Sequence, residues 1–441
     1  MSVKRILFGI LVGSAILLAA GLNGGMGAFA GKAGPDGPAG TASYLGPELQ
    51  ISNPTQPECD RYVPAVAYNF VHNEYLVVWH NKWPDGHRDV YARRVSGRGQ
   101  VLSWFSVSAG PHDRFQPAVA YNSWTDQYLV VWMYDAQGDA THYEVWGRWV
   151  AWNGSSMGSE FQIFAWANRG FWTPRVAWNS YHNEYLVIAN GLDTISGLAN
   201  DVSGRRVMAD GSTPYPGSPI AQSTTDQPHQ GDVAYNIAAD EYLVVWRHMA
   251  SAGDGDIHGA RLRGDNSAVI NPPGDFVIND RTEDQQSPAL TTNNQHRYLV
   301  LWQYAYPGPC CDWDIRGQEL DVAGNLQGDE LVIADSTDDE QDPAVAARPG
   351  PIRDYLATWQ QTTSSGETIE ASRWGDVTPS SFEVANVAFW DSESPAVAWG
   401  PISALIVYAA DSQGDPSVYR HIYGRRWAPS ATFLPLVTRN Q

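Results

Sequence analysis

A hexapeptide, Pro64-Ala-Val-Ala-Tyr-Asn69, returns in altered form at Pro117, Pro174, Gly231, Pro288, Pro343 and Pro395, at spacings of 53, 57, 57, 57, 55 and 52 residues. Self-similarity with a period of about 40–50 residues or slightly more, in segments of strand composition, is the mark of propeller blades. Seven copies can be compared with one another. Positions shared by all are expected to build the frame, and function is expected where the copies differ.

Each copy divides into four short segments. After the hexapeptide comes Glu74-Tyr-Leu-Val-Val-Trp79, echoed at 127–132, 184–189, 241–246, 297–302 and 354–359. A third segment, Asp89-Val-Tyr-Ala-Arg-Arg-Val95, returns at 201–207 and 421–427, and a fourth alternates, as at 160–164, 275–278 and 330–333. β-Branched and aromatic residues between Gly, Asn, Asp and Pro argue for strands throughout. One fourth-type segment, residues 48–52, precedes the first copy, and the last copy stops after its third segment at Trp427. The expectation is therefore an all-β, seven-bladed β-propeller of four-stranded antiparallel blades, closed by the N-terminal strand pairing with the last blade. The hexapeptide strand would be innermost, and Trp79, Trp132, Trp246, Trp302 and Trp359 would fill the space between sheets. Where copy three has Ala189, Trp172 or Trp178 is expected to compensate. The small residue of the third strand (Ala92, Gly147, Gly204, Gly259, Gly317, Ala371, Gly424) is expected under a large ring of the next sheet.

The pattern Pro-x-Val-Ala-Tyr-Asn, Tyr-Leu-Val-Val-Trp, Ile-x-Gly-Arg-Arg resembles the repeats of secreted bacterial propeller proteins of largely unknown role, over residues 48–428. The resemblance implies the architecture and no activity. The remainder of the chain divides simply. Residues 1–30 read as a secretory signal: Lys4 and Arg5, an apolar run from Ile6 to Leu22, and Ala28-Phe-Ala30 with cleavage after Ala30. Residues 31–47, rich in Gly and Pro, read as a flexible linker, and 429–441 as a C-terminal tail, similar to sorting or retention tails of exported proteins. A secreted or cell-surface monomer with no membrane span after signal removal is expected.

The formal charge of −20 excludes a nucleic-acid surface, which needs clustered cations, and does not suit an anionic membrane. Only three lysines occur, and the arginines fall at repeated positions, as structural partners would. Of the three cysteines, Cys310 and Cys311 are adjacent, which allows a vicinal disulfide. Cys59 would have to reach a non-neighbouring blade to pair.

No Gly-x-Ser-x-Gly, phosphate-binding glycine loop or His-Glu-x-x-His occurs, and the sialidase, kelch and WD signatures are missing too. In five copies an Asp stands four residues before the anchor: Asp60, Asp113, Asp284, Asp339 and Asp391. These could ring the channel mouth and attract Ca²⁺ or a cationic ligand, or could bond backbone in the turn that feeds the strand. Asp89, Glu144, Asp201, Asp256 and Asp314 open the third strands and suit backbone or arginine partners. Trp83, Tyr134, Tyr304, Tyr306 and Trp313 fall in the variable second-to-third loops, where flat rings stack on sugar faces. With Asp113, Asp284 and Asp339 they are the candidate ligand residues. The leading expectation is a non-catalytic binding propeller offering this loop face to a glycan or extracellular protein. The alternative is a carbohydrate-active enzyme, a glycoside hydrolase or polysaccharide lyase, with an acidic site in the axial cleft. No catalytic residue is selected by the sequence.

Overall fold

The structure, a computed structural model, describes residues 44–429 apart from 54–58, 140–141, 167–168, 194–198, 214–216, 223–230, 252–253, 271–273, 307–311, 365, 377–379, 386–392 and 412–418. The expected signal, the vicinal cysteines, Asp391 and the C-terminal tail lie outside the described residues. Within them the chain forms seven sheets of four antiparallel strands, and no helix is present. We letter the strands a to d from the axis outward. In blade one they are Asp60–Asn69, Glu74–Lys82, Arg88–Ser96 and Val101–Ser108. The other a strands are Arg114–Asn122, Arg169–Asn179, Gly231–Asn236, Gln285–Thr292, Asp339–Ala347 and Glu393–Trp399. Each lies against the a strands on either side, and the last lies against the first, which makes a ring. Blade seven takes its d strand from the other end of the chain: Tyr44–Gln50 pairs with His421–Ala428, Leu49 opposite Gly424. That strand starts within the segment expected as a tether.

The hexapeptide earns its recurrence at the a–b turn. The side-chain oxygen of Asn122 accepts from the backbone N–H of Trp124 (2.8 Å) and Thr125, and Asn69 and Asn179 do the same in their blades. An Asn that satisfies the turn's own donors pre-forms it. The preceding Tyr ties down the far side of the turn: Tyr121 donates to Asp126 (2.7 Å) and Tyr235 to Asp240 (2.8 Å). At the other end of the strand, the residue before the anchor proline has positive φ: Val63 49°, Gln116 50°, Thr173 49°, Ser287 50°, Asp342 49°, Ser394 52°. Each sits at a register shift, for example between Phe115 and Ala118. A non-glycine residue held there costs of order ~1–3 kcal/mol and persists only where its surroundings demand it. Blade four has Gly231 in place of the proline, and that glycine itself pairs opposite Trp246.

Between blades the expected tryptophans, Trp79, Trp132, Trp246, Trp302 and Trp359, are buried. Each contributes several times the ~0.8 kcal/mol of one buried methylene. Blade three meets expectation in part. Ala189 shares a cluster with Phe164 and Phe171, stacked at 4.9 Å and fully buried. Trp178 packs on this cluster, whereas Trp172 stands edge-on to Tyr143. The small c-strand residues differ from expectation. A Cβ on Gly147 would meet Ile163 Cδ1 at 2.9 Å, on Gly204 Ile220 Cδ1 at 2.8 Å, and on Gly424 Ile51 Cδ1 at 2.7 Å. The crowding group is thus an aliphatic residue of the same blade's d strand, bulged inward.

The arginines serve the frame, as expected. Arg93, Arg148 and Arg205 donate to the carbonyls of Ile51, Val107 and Ile163 in the preceding blade. Their neighbours pair with the acid that opens the b strand, Arg94 with Glu74 and Arg206 with Glu184.

Candidate functional site

Strand direction defines two faces. The a strands start at the d–a loops and end at the a–b turns, so the d–a and b–c loops share one face and the a–b turns lie on the other. Sequence reasoning favoured the first face, and the structure engages most of its candidates in holding blades together. Asp113 accepts from the backbone N–H of Arg88 (3.0 Å) and from its guanidinium (2.7 Å). Asp284 accepts from Gly255 N–H (3.1 Å) and Arg247 (2.6 Å), and Asp339 from Trp313 N–H (3.1 Å). Asp60 does the same for Arg420 N–H (3.1 Å). In each case an Asp at the entrance of one blade caps the start of the c strand in the blade before it. The expected bond to its own turn is replaced by a stitch between blades.

The aromatic candidates are engaged mostly within their own blades. Trp83 donates to Asp89 (3.0 Å) and stacks on His87. Tyr134 is edge-on to Trp146 with Arg114 over its ring, and Tyr304 is buried between Arg281 and Arg316. Trp313 lies beside the Asp339 stitch, and Tyr306 alone among the five is well exposed. The three aspartates therefore make separate interblade contacts, the aromatics are spread over blades one, two and five, and none of the eight lines the axial cavity. Among the described residues no group of three or more His, Cys, Asp or Glu is arranged to hold a metal ion.

The cavity lies on the opposite side. A space of about 900 Å³ occupies the axis and opens among the a–b turns. Its wall comes from the fifth position of the hexapeptide, which differs between copies. Tyr68, Trp178, Tyr235 and Trp399 supply an aromatic arc from blades one, three, four and seven. Blade five offers Thr292 and blade six only Ala347. Thr291, in the place of a framework alanine, accepts from Ala347 N–H (3.0 Å) and keeps its own hydroxyl hydrogen to donate. Trp124 and Tyr181, each 64% exposed, stand at the mouth.

One turn nearer the other face, the position after the anchor reads Ala65, Ala118, Arg175, Asp232, Ala289, Ala344, Ala396. The two departures are opposite charges on adjacent a strands. Asp232 accepts from Val233 N–H and from Leu290 N–H across the blade boundary, both at 2.8 Å. Burial raises its carboxyl above the usual range, and the Arg175 charge pulls it back. Asp342, three blades from Arg175, feels the same two influences in the same order. Arg175 itself donates to its own Pro174 carbonyl (3.1 Å). Arg175, Asp232 and Asp342 thus stand on a strands and are not among the residues that line the cavity. Sequence reasoning passed over all three residues, although a column-by-column comparison of the seven copies displays Arg175 and Asp232 at once.

A seven-bladed propeller with an axial cavity is the class that this geometry defines. No protein-family model and no curated protein matches the sequence. Among solved structures, the chain is similar to a protein of unknown function from Dyadobacter fermentans (TM-score 0.50, 9% identity, 88% of this chain and 99% of that one). It is also similar to the polysaccharide lyase Uly1 (TM-score 0.52, 11% identity, 84% of this chain and 90% of that one). At these identities the likeness is one of fold.

Proposed function

We propose that the chain is an exported binding propeller whose axial cavity takes a segment of a glycan. The supporting observation is the asymmetric wall, an arc of aromatic rings facing hydroxyl and amide groups of blade five across a space of saccharide size. Sugar rings present apolar C–H faces to aromatics and hydroxyls to polar groups, and most ligand pockets combine these two features. The test is a glycan array followed by calorimetry with parent and Trp178→Ala and Thr291→Val variants. Both substitutions are expected to weaken the selected glycan by about tenfold, roughly the loss of one good contact. No glycan bound by the parent, or equal binding by both variants, would refute the proposal.

A second reading, a glycoside hydrolase or polysaccharide lyase, is favoured by one observation: Asp232 and Asp342, both with raised proton affinity, share Arg175. A carboxyl that stays protonated nearer neutrality suits general acid work. Turnover on a polysaccharide panel that disappears in Asp342→Asn would favour it over simple binding.

A further inference from the structure

Every described residue that lines the axial cavity is neutral near pH 7. None is an Asp, Glu, Lys, Arg or His, in a chain whose formal charge is −20. All seven a–b turns, among which the cavity opens, lie within the described residues. A chain so rich in carboxylates has kept them, and their arginine partners, out of this one wall.

Charged groups do occur on this side of the ring, but they stand elsewhere. His72 bonds Asp126 of the next blade (2.8 Å), and His182 bonds Asp240 (3.0 Å). Arg348 lies 3.4 Å from Asp354, and Arg353 lies between Asp376 (2.8 Å) and Glu319 (2.6 Å). His296 is exposed on the blade-five turn and is not part of the lining. Arg98, Arg263 and Asp265 are exposed at the c–d turns, between the two outer strands of their blades. Further along the a strands the charge of Arg175 acts on Asp232 and Asp342, and none of the three lines the cavity. Among the described residues, no cation is left at the wall to meet an anionic ligand.

What the wall offers instead is ring surface and neutral hydrogen-bonding groups. Tyr68 donates its hydroxyl to Asn73 (2.9 Å) and Tyr235 to Asp240 (2.8 Å), which leaves their rings for a ligand. Thr292 donates to the Arg297 carbonyl (3.0 Å) and accepts from Asn236 (3.0 Å), so the free hydroxyl hydrogen of blade five is that of Thr291. Ser123, Ser180 and Asn294 add two hydroxyls and an amide. A carboxylate or sulfate placed among these groups would leave water without a counter-charge, which is heavily disfavoured. A sugar hydroxyl loses far less, because neutral donors and acceptors replace its water.

We propose that the cavity selects neutral glycans and rejects those that carry uronate, sulfate or phosphate groups. This rests on the glycan reading and deepens it, by naming the class of sugar that the wall accepts.

The test is calorimetry of the full chain with oligosaccharides of matched length. Neutral ones of glucose, mannose, galactose and xylose are set against acidic ones of galacturonate, mannuronate and sulfated galactose. At least one neutral oligosaccharide is expected to bind, and every acidic one at least about a hundredfold more weakly, as an uncompensated charge implies. The affinity for the neutral ligand should change by less than about twofold between low and high salt, since no ion pair is there to be screened. Ala347→Lys adds a cation to the blade-six wall and should capture an acidic oligosaccharide at low salt and release it at high salt. Ala347→Gln, of similar length without the charge, should keep the parent's preference. An acidic oligosaccharide bound as tightly as its neutral counterpart, a steep salt dependence, or a Lys variant that matches the Gln variant would overturn this proposal and leave the glycan reading standing. Binding of neither kind by the parent would overturn both.

Discussion

The seven copies contain an exchange that can be tested as a cycle. Where the c strand has Gly, the inward-bulged d-strand residue is Ile: Gly147 with Ile163, Gly204 with Ile220, Gly259 with Ile278, Gly317 with Ile333; in blade seven Gly424 faces Ile51, the residue that follows the d strand. Where the c strand has Ala, the partner is Val: Ala92 with Val107, Ala371 with Val384. One methyl group moves from one residue to the other. In blade two a Cβ on Gly147 would stand 2.9 Å from Ile163 Cδ1, 3.3 Å from Leu129 Cδ1 and 3.4 Å from Phe161 Cζ, with no backbone atom among the three. Gly147→Ala alone should therefore destabilise as an overpacked core does, by ~1–3 kcal/mol. Ile163→Val alone removes the crowding methyl and should cost ~0.5–1.5 kcal/mol. The double variant, which rebuilds the blade-one pair inside blade two, should cost less than Gly147→Ala alone, with a coupling of about 1 kcal/mol or more. Urea melts followed by tryptophan emission, compared at matched slopes, measure all four corners. Additivity within ~0.5 kcal/mol would show that the two side chains do not compete for one volume, and the reasoning would fail.

Two further outcomes follow from buried charge. Glu184 is fully buried and bonded through Arg206 Nε (2.9 Å), so Glu184→Ala should destabilise by about 3 kcal/mol or more, since a near-buried guanidinium loses its partner; a loss below about 1 kcal/mol in a urea melt would place the pair with ordinary surface bridges. Glu340 is buried at the entrance to blade six, and burial pushes its carboxyl up to about 7 despite the Ser336 donors. Its folded pKa exceeds the unfolded value, so the native state binds the extra proton and stability falls as pH rises from about 4.5 through 7. Glu340→Gln should match the parent below that window and gain on it progressively across it, as read from melting midpoints at pH 4 to 8; a constant difference would refute the assignment.

The ring of blades was legible because it repeats. Period, strand composition and the displaced fourth segment at residues 48–52 each report the same arrangement, and the interior Trp79 series follows from it. The errors came where a side chain's direction depends on a bulge. Ile163 reaches under Gly147 only because the d strand carries an extra residue there, and no composition signal marks which residue is the extra one. The Asp60 series stood open between a ring at the channel mouth and a turn for a similar reason. Its position before the strand was clear, but the donor it meets belongs to the blade before, at Arg420, Arg88, Gly255 or Trp313.

The cavity escaped notice for a different reason. Its residues occupy framework columns of the repeat, so they read as structure until copies are compared one column at a time. The variable loops, in contrast, attract attention because they differ in length, yet Asp113, Trp83 and Tyr304 there are committed to neighbours. In a closed ring, a change of residue within a repeated column breaks the symmetry at the axis, where all seven copies face one another. A change in a loop alters one sector of the rim. Arg175 and Asp232 among five alanines, and Thr292 and Ala347 among five aromatics, are such axial changes. In this chain, departures within columns of constant length are thus a better guide to the axial cavity than departures in loop length.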